Sequence, residues 1–125
     1  MAPKNRPKYL DLLHIKLPVP GLVSILHRVS GALLFLFIPV FLFFLQTSLV
    51  SAEGFEAVRR TLDFWPVKLG VIGLVWAFLH HFFAGLRYLA IDLHYGVELA
   101  AARASAKAVL AASLALTLIL GAILW

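Results

Sequence analysis

The chain has 125 residues, 62% of them hydrophobic and only 14% charged, with a formal net charge of +5 and no cysteine. A soluble domain carries about 25% charged residues, so the composition excludes an ordinary soluble enzyme and reads as an integral membrane protein. Without cysteine there is no disulfide, thiolate-held iron–sulfur cluster, or thiolate- or thioether-bound haem, so a metal must rely mainly on histidine or oxygen ligands.

Residues 1–20 read as a basic, cytoplasmic-type arm: Lys4, Arg6, Lys8 and Lys16 stand against one acid, Asp11. The arm lacks the apolar core and small-residue cleavage site of a secretory signal. Pro3 and Pro7 make it a poor mitochondrial presequence. A bacterial inner-membrane protein is the simplest reading. Tyr9, Leu10, Leu12, Leu13, Ile15 and Leu17 give the arm enough apolar character to lie at an interface. Pro18 and Pro20 block a helix continuing from the arm, and Pro20 suits the first turn of the next one.

The first spanning helix is expected over about residues 21–49, with no polar side chain from Gly31 to Leu45 and Pro39 inside that run. Residues 51–66 form a polar connection, in which GFEAVRRTLDFW can fold as a short interfacial helix anchored by Phe64 and Trp65. The second spanning helix is expected over about 67–91, with Lys68 snorkelling at its start. A second connection follows over 92–107, then a third helix over 108–125, apolar except for Ser113 and Thr117. The alanine-rich stretch 100–112 favours helix. The fold class is therefore an all-α integral membrane protein, one membrane domain with three transmembrane helices. Three helices are too few to enclose an aqueous path alone, so an assembly of several chains is expected.

The basic residues fix an orientation. Lys4, Arg6, Lys8, Lys16, Arg28, Arg87, Arg103 and Lys107 fall on one side, and only Arg59, Arg60 and Lys68 on the other. The positive-inside rule puts the N-terminus in the cytoplasm and the C-terminus in the periplasm. Basic residues that flank apolar helices are orientation signals and headgroup contacts, so lipid is the expected partner and nucleic acid is not.

Two polar clusters interrupt the apolar runs: SILHRVSG (Ser24–Gly31) opens helix 1, and HHFFAGLRYLAID (His80–Asp92) closes helix 2. Ionisable groups at membrane depth are costly and are functional-site hypotheses by default. The orientation sets both clusters at the cytoplasmic face, at similar depth. On helix 2, His81, Gly85, Tyr88 and Asp92 share one stripe, while His80, Ala84 and Arg87 lie on the next, about 100° round. A neutral imidazole suits haem iron, a glycine one turn on lets a flat macrocycle approach, and Arg87 can neutralise a propionate. Histidines near helix ends also commonly hydrogen-bond a neighbouring helix, and the residues alone leave that alternative open. His80 and His81 point in different directions, so this helix offers one axial ligand at most, and the other must come from elsewhere. On helix 1, Ser24, His27, Arg28 and Gly31 share a face. A hydroxyl and a guanidinium suit a quinone carbonyl, where Arg28 can stabilise the charge that develops on reduction. The other reading of Arg28 is a snorkelling contact to lipid phosphate.

The arm pattern RPKYLDLL, then SILHRVSG, then HHFFAGLRYLAID resembles the cytochrome b-type membrane anchor subunit of succinate dehydrogenase, in order and over most of the chain. The resemblance implies half of a heterodimeric, haem-binding helix bundle. Such an anchor shares one haem b with a second membrane anchor subunit, which supplies the other axial histidine. An iron–sulfur subunit and a flavoprotein subunit dock on the cytoplasmic face, and electrons from succinate reach ubiquinone near the membrane surface. Residue by residue, the resemblance makes His81 the haem ligand, assigns Ser24 and Arg28 to the quinone pocket, and sets His27 and Arg28 near the haem propionates. Tyr88 stands where some members carry a histidine at the haem edge; it can donate one hydrogen bond but carries no charge near neutral pH. Two other function classes fit the composition: a structural membrane anchor without haem, and a small membrane transport subunit. Against the second, the polar residues gather at one face and do not line a path.

Overall fold

The computed structural model describes residues 15–125; the arm up to residue 14, with Tyr9, Leu10, Leu12 and Leu13, falls outside the described residues, and Ile15 and Leu17 are exposed. Four helices follow in order: α1 (Val19–Val50), α2 (Ala52–Asp63), α3 (Trp65–Asp92) and α4 (Leu99–Leu124). Of these α1, α3 and α4, with 32, 28 and 26 residues, are long and apolar enough to cross a membrane. No strand occurs among the described residues. The expected all-α membrane fold is the observed one.

Proline and capping chemistry set the boundaries. Pro18 is the N-cap of α1, Pro20 occupies its first turn, and the helix runs on through Pro39. Ser51 caps α2 by accepting a hydrogen bond from the Gly54 amide at 2.9 Å, and Glu53 and Arg60 sit at the ends that suit their charges. Gly54 is required for a second reason: a Cβ there would run into the Thr47 carbonyl oxygen of α1. The short helix expected in this connection is present, folded tightly against the end of α1. Lys68 Nζ lies 3.2 Å from Asp63 Oδ1 and 5.8 Å from the Trp125 ring centroid, which gathers the ends of α2 and α4 and the start of α3 at one level.

At its other end α3 closes in a Schellman-type turn. The His94 amide donates to Ile91 O at 2.8 Å and the Tyr95 amide to Ala90 O at 2.9 Å, with His94 in the left-handed region at φ 64°. The largest departure from the sequence reading follows. The third spanning helix begins at Leu99, nine residues before the expected 108, and the connection shrinks to residues 93–98. The cause is the alanine run, in which Arg103 and Lys107 stay exposed without interrupting the helix.

α3 packs against both α1 and α4, which touch each other less. The buried contacts are small: Val23, Ala77, Ala84, Ala106 and Val109. Small side chains let helix backbones approach closely in a bilayer, where apolar bulk gains nothing by turning inward. Large residues such as Leu36, Leu49 and Leu118 face outward accordingly. One side of α1 and α3, roofed by α2, forms an apolar cleft of about 1410 Å³, with Leu34, Phe41, Val58 and Leu74 among its walls and Gly31 and His81 lining it.

Candidate cofactor site

The two polar clusters meet where α1 crosses α3. The Nδ1 of His81 lies 3.0 Å from the carbonyl oxygen of His27 and 3.3 Å from Ser30 Oγ. Ser30 itself donates to the same His27 carbonyl at 2.9 Å. A carbonyl can only accept, so His81 carries its proton on Nδ1, and Nε2 keeps a lone pair. Metal-bound histidines have this arrangement, with one nitrogen tied to an acceptor and the other left to the metal.

The rings of His27 and His81 stack with centroids 4.2 Å apart at 13°, and Tyr88 lies next to His27 at 5.3 Å. Gly31 makes the approach possible: a Cβ there would stand 2.7 Å from His81 Cε1 and 3.2 Å from Nδ1. Gly85, the glycine singled out from the helix 2 spacing, is less constrained, since its Cβ would meet only His27 Nε2 at 3.8 Å. The tight approach thus occurs on α1. Ser30 was not among the expected site residues. Its signal was the three-residue spacing from His27 inside SILHRVSG.

The adjacent histidines have different surroundings. His81 is half-buried and lines the apolar cleft. His80 is fully enclosed within the chain, stacked on Trp76, so a neighbouring subunit cannot reach it. Arg87 is buried and engaged by α4, with Nε donating to Ser105 Oγ at 3.0 Å and an Nη2 proton directed at Ala102 O at 3.2 Å. It also lies 5.7 Å from the Tyr88 ring. On α1, Ser24 is half-buried and Arg28 exposed, one turn apart.

These groups fit a haem better than a bare ion. No group of three or more His, Asp or Glu side chains that could hold a metal occurs among the described residues. A single tautomer-locked imidazole beside an apolar cleft suits a metal that brings its own equatorial ligands.

A sequence model of the family described as succinate dehydrogenase/fumarate reductase transmembrane subunit matches residues 2–120. The chain is similar to the succinate dehydrogenase cytochrome b556 subunit of Coxiella burnetii, 36% identical over 123 residues, covering 97% of this chain and 98% of that one. It is 30% identical over 115 residues to the subunit of the same name from Paracoccus denitrificans, covering 92% and 88%. It is 32% identical over 101 residues to the cytochrome b560 subunit of succinate dehydrogenase from Reclinomonas americana, covering 76% and 69%.

Proposed function

The chain belongs to the succinate dehydrogenase/fumarate reductase transmembrane subunit family, and from that premise we propose that it is the haem b-binding anchor of a succinate:quinone reductase in a bacterial inner membrane. The observation that carries this reading is the His81 imidazole, whose Nδ1 proton is held by the His27 carbonyl while its ring lines an apolar cleft. His81 Nε2 would hold the haem iron together with a histidine of a second membrane anchor subunit. When bound, haem b would supply a one-electron redox centre.

The residues of this chain bind and orient. Nδ1–H of His81 donates to a fixed backbone acceptor, which holds the ring against rotation and raises the basicity of Nε2. His27 packs flat on that ring from α1, and Gly31 leaves the space the ring needs. Ser24 and Arg28 form part of the ubiquinone site. The Ser24 hydroxyl donates a hydrogen bond to a quinone carbonyl, and the Arg28 guanidinium stabilises the negative charge that develops on that oxygen as electrons arrive. His27 and Arg28 would contact the haem propionates, and Tyr88 would offer its hydroxyl as a hydrogen-bond donor to the cofactor. The N-terminus faces the cytoplasm, where the iron–sulfur and flavoprotein subunits dock. The basic residues there, eight against three across the membrane, support that orientation.

The test is co-expression of the four subunits with and without this chain. With it, membranes show a reduced b-type absorption band and reduce quinone with succinate. A complete complex without that band, or full quinone reduction in membranes that lack the chain, overturns the proposal.

A further inference from the structure

α3 carries a second buried polar group that the cofactor site does not use. His80 is 0% exposed, and neither of its ring nitrogens has a hydrogen-bond partner among the protein groups. The Val23 backbone is close by, but its geometry falls short of a hydrogen bond. One turn away, Trp76 stacks on the imidazole with centroids 5.3 Å apart, and its Nε1 is also buried and unpartnered. Three bare nitrogens inside a transmembrane bundle carry their full desolvation cost unless something meets them.

The buried face of α4 carries two hydroxyl oxygens at matching depth. Ser113 and Thr117 lie on the buried stripe of α4 with Ala106 and Val109. Ser113 donates to Leu110 O at 3.1 Å and Thr117 to Ser113 O at 2.7 Å, so both hydroxyl protons are committed and both oxygens keep lone pairs. The two helices run antiparallel. Arg87 bonds Ser105 near one end, and near the other Ile72 lies 3.7 Å from where a Gly121 Cβ would stand. From Arg87 to His80 is seven residues along α3, and from Ser105 to Ser113 is eight along α4. Trp76 and Thr117 lie eleven and twelve residues along. At about 1.5 Å per residue, each ring therefore stands within roughly 2 Å of the depth of one hydroxyl.

The donor count does not close with protein groups alone. The indole N–H and one imidazole N–H can only donate, and the two hydroxyl oxygens can accept. The second imidazole nitrogen needs a donor, and neither hydroxyl has a proton left for it. A water molecule both donates and accepts, and buried waters typically make about three hydrogen bonds to such orphaned groups. We propose that α3 and α4 enclose an internal water-binding site between His80, Trp76, Ser113 and Thr117, separate from the site at His81. The inference does not depend on the haem reading, because none of these four residues belongs to it.

The experiment is pulsed X-ray radiolysis of the assembled complex after transfer into H₂¹⁸O, with the Trp76 peptide read by mass spectrometry. Bound water generates hydroxyl radical in place, so Trp76 is expected to be modified, with ¹⁸O entering more slowly than at exposed Trp65. In an assembled His80→Phe complex the Trp76 modification falls several-fold, and in His80→Gln, which keeps a donor and an acceptor, it is retained. An unmodified Trp76 in the wild-type complex overturns the proposal, and that result stands whether or not the variants assemble. Equal modification in His80→Phe overturns it as well.

Discussion

The imidazole of His81 rests on the backbone of His27: 3.0 Å separates Nδ1 from the carbonyl oxygen, and the two rings lie parallel. The side chain of α3 that we propose as the haem ligand is therefore set by the main chain of α1. A backbone acceptor cannot be removed by a point substitution, so the tautomer of His81 is tied to how the two helices cross.

Gly31 keeps that crossing open. Gly31→Ala would bring a methyl group to 2.7 Å from His81 Cε1, against a rigid ring and not a flexible chain end. Overpacking of this kind costs about 1–3 kcal/mol. Haem content per assembled complex and its thermal stability should both fall, while Gly85→Ala, with ordinary contact only within this chain, should leave the packing of α1 on α3 intact and act on haem content alone. A greater loss of thermal stability from Gly85→Ala would mean that His81 occupies a different position.

Ser30→Ala removes the weaker of the two partners of His81 Nδ1, at 3.3 Å, and leaves the His27 carbonyl in place. A loss of about 0.5–1.5 kcal/mol is expected, with haem retained and its midpoint potential shifted. Redox titration of the variant complex measures this. Complete haem loss would show that Ser30, and not the carbonyl, holds the ring.

Arg87 ties α3 to α4 through Ser105 and Ala102. Hydrogen bonds from a charged group are worth about 1.5–3 kcal/mol each, so Arg87→Leu should lower the temperature at which the complex dissociates. The haem band should persist in whatever complex remains assembled. Haem loss from fully assembled complex would instead give the guanidinium a direct propionate contact.

Arg28 is exposed beside the site and makes no described contact that fixes it. Arg28→Leu should slow succinate-dependent quinone reduction on the order of 10²-fold, while dye reduction by the soluble subunits stays intact. Unchanged quinone kinetics would make Arg28 a lipid contact only.

Much of this was legible in the residues. The three spans, the short helix after Ser51 and the meeting of the two polar clusters follow from hydropathy, proline placement and charge. The early start of α4 at Leu99 was missed because Arg103 and Lys107 mark a membrane boundary, yet alanine propensity carries the helix past it. Ser30 and Gly31 could be read only as members of a cluster. Their contact with His81 depends on the rotation and depth of one helix against another, which periodicity within a single helix does not encode. The engagement of Arg87 by α4 was hidden for the same reason, since its partners lie 15 and 18 residues away across a turn.

The most direct measurement is the reduced-minus-oxidised absorption spectrum of the assembled complex carrying His81→Leu. Loss or shift of the b-type band, with the subunits still together, is the expected result. An unchanged band in assembled His81→Leu complex would contradict it.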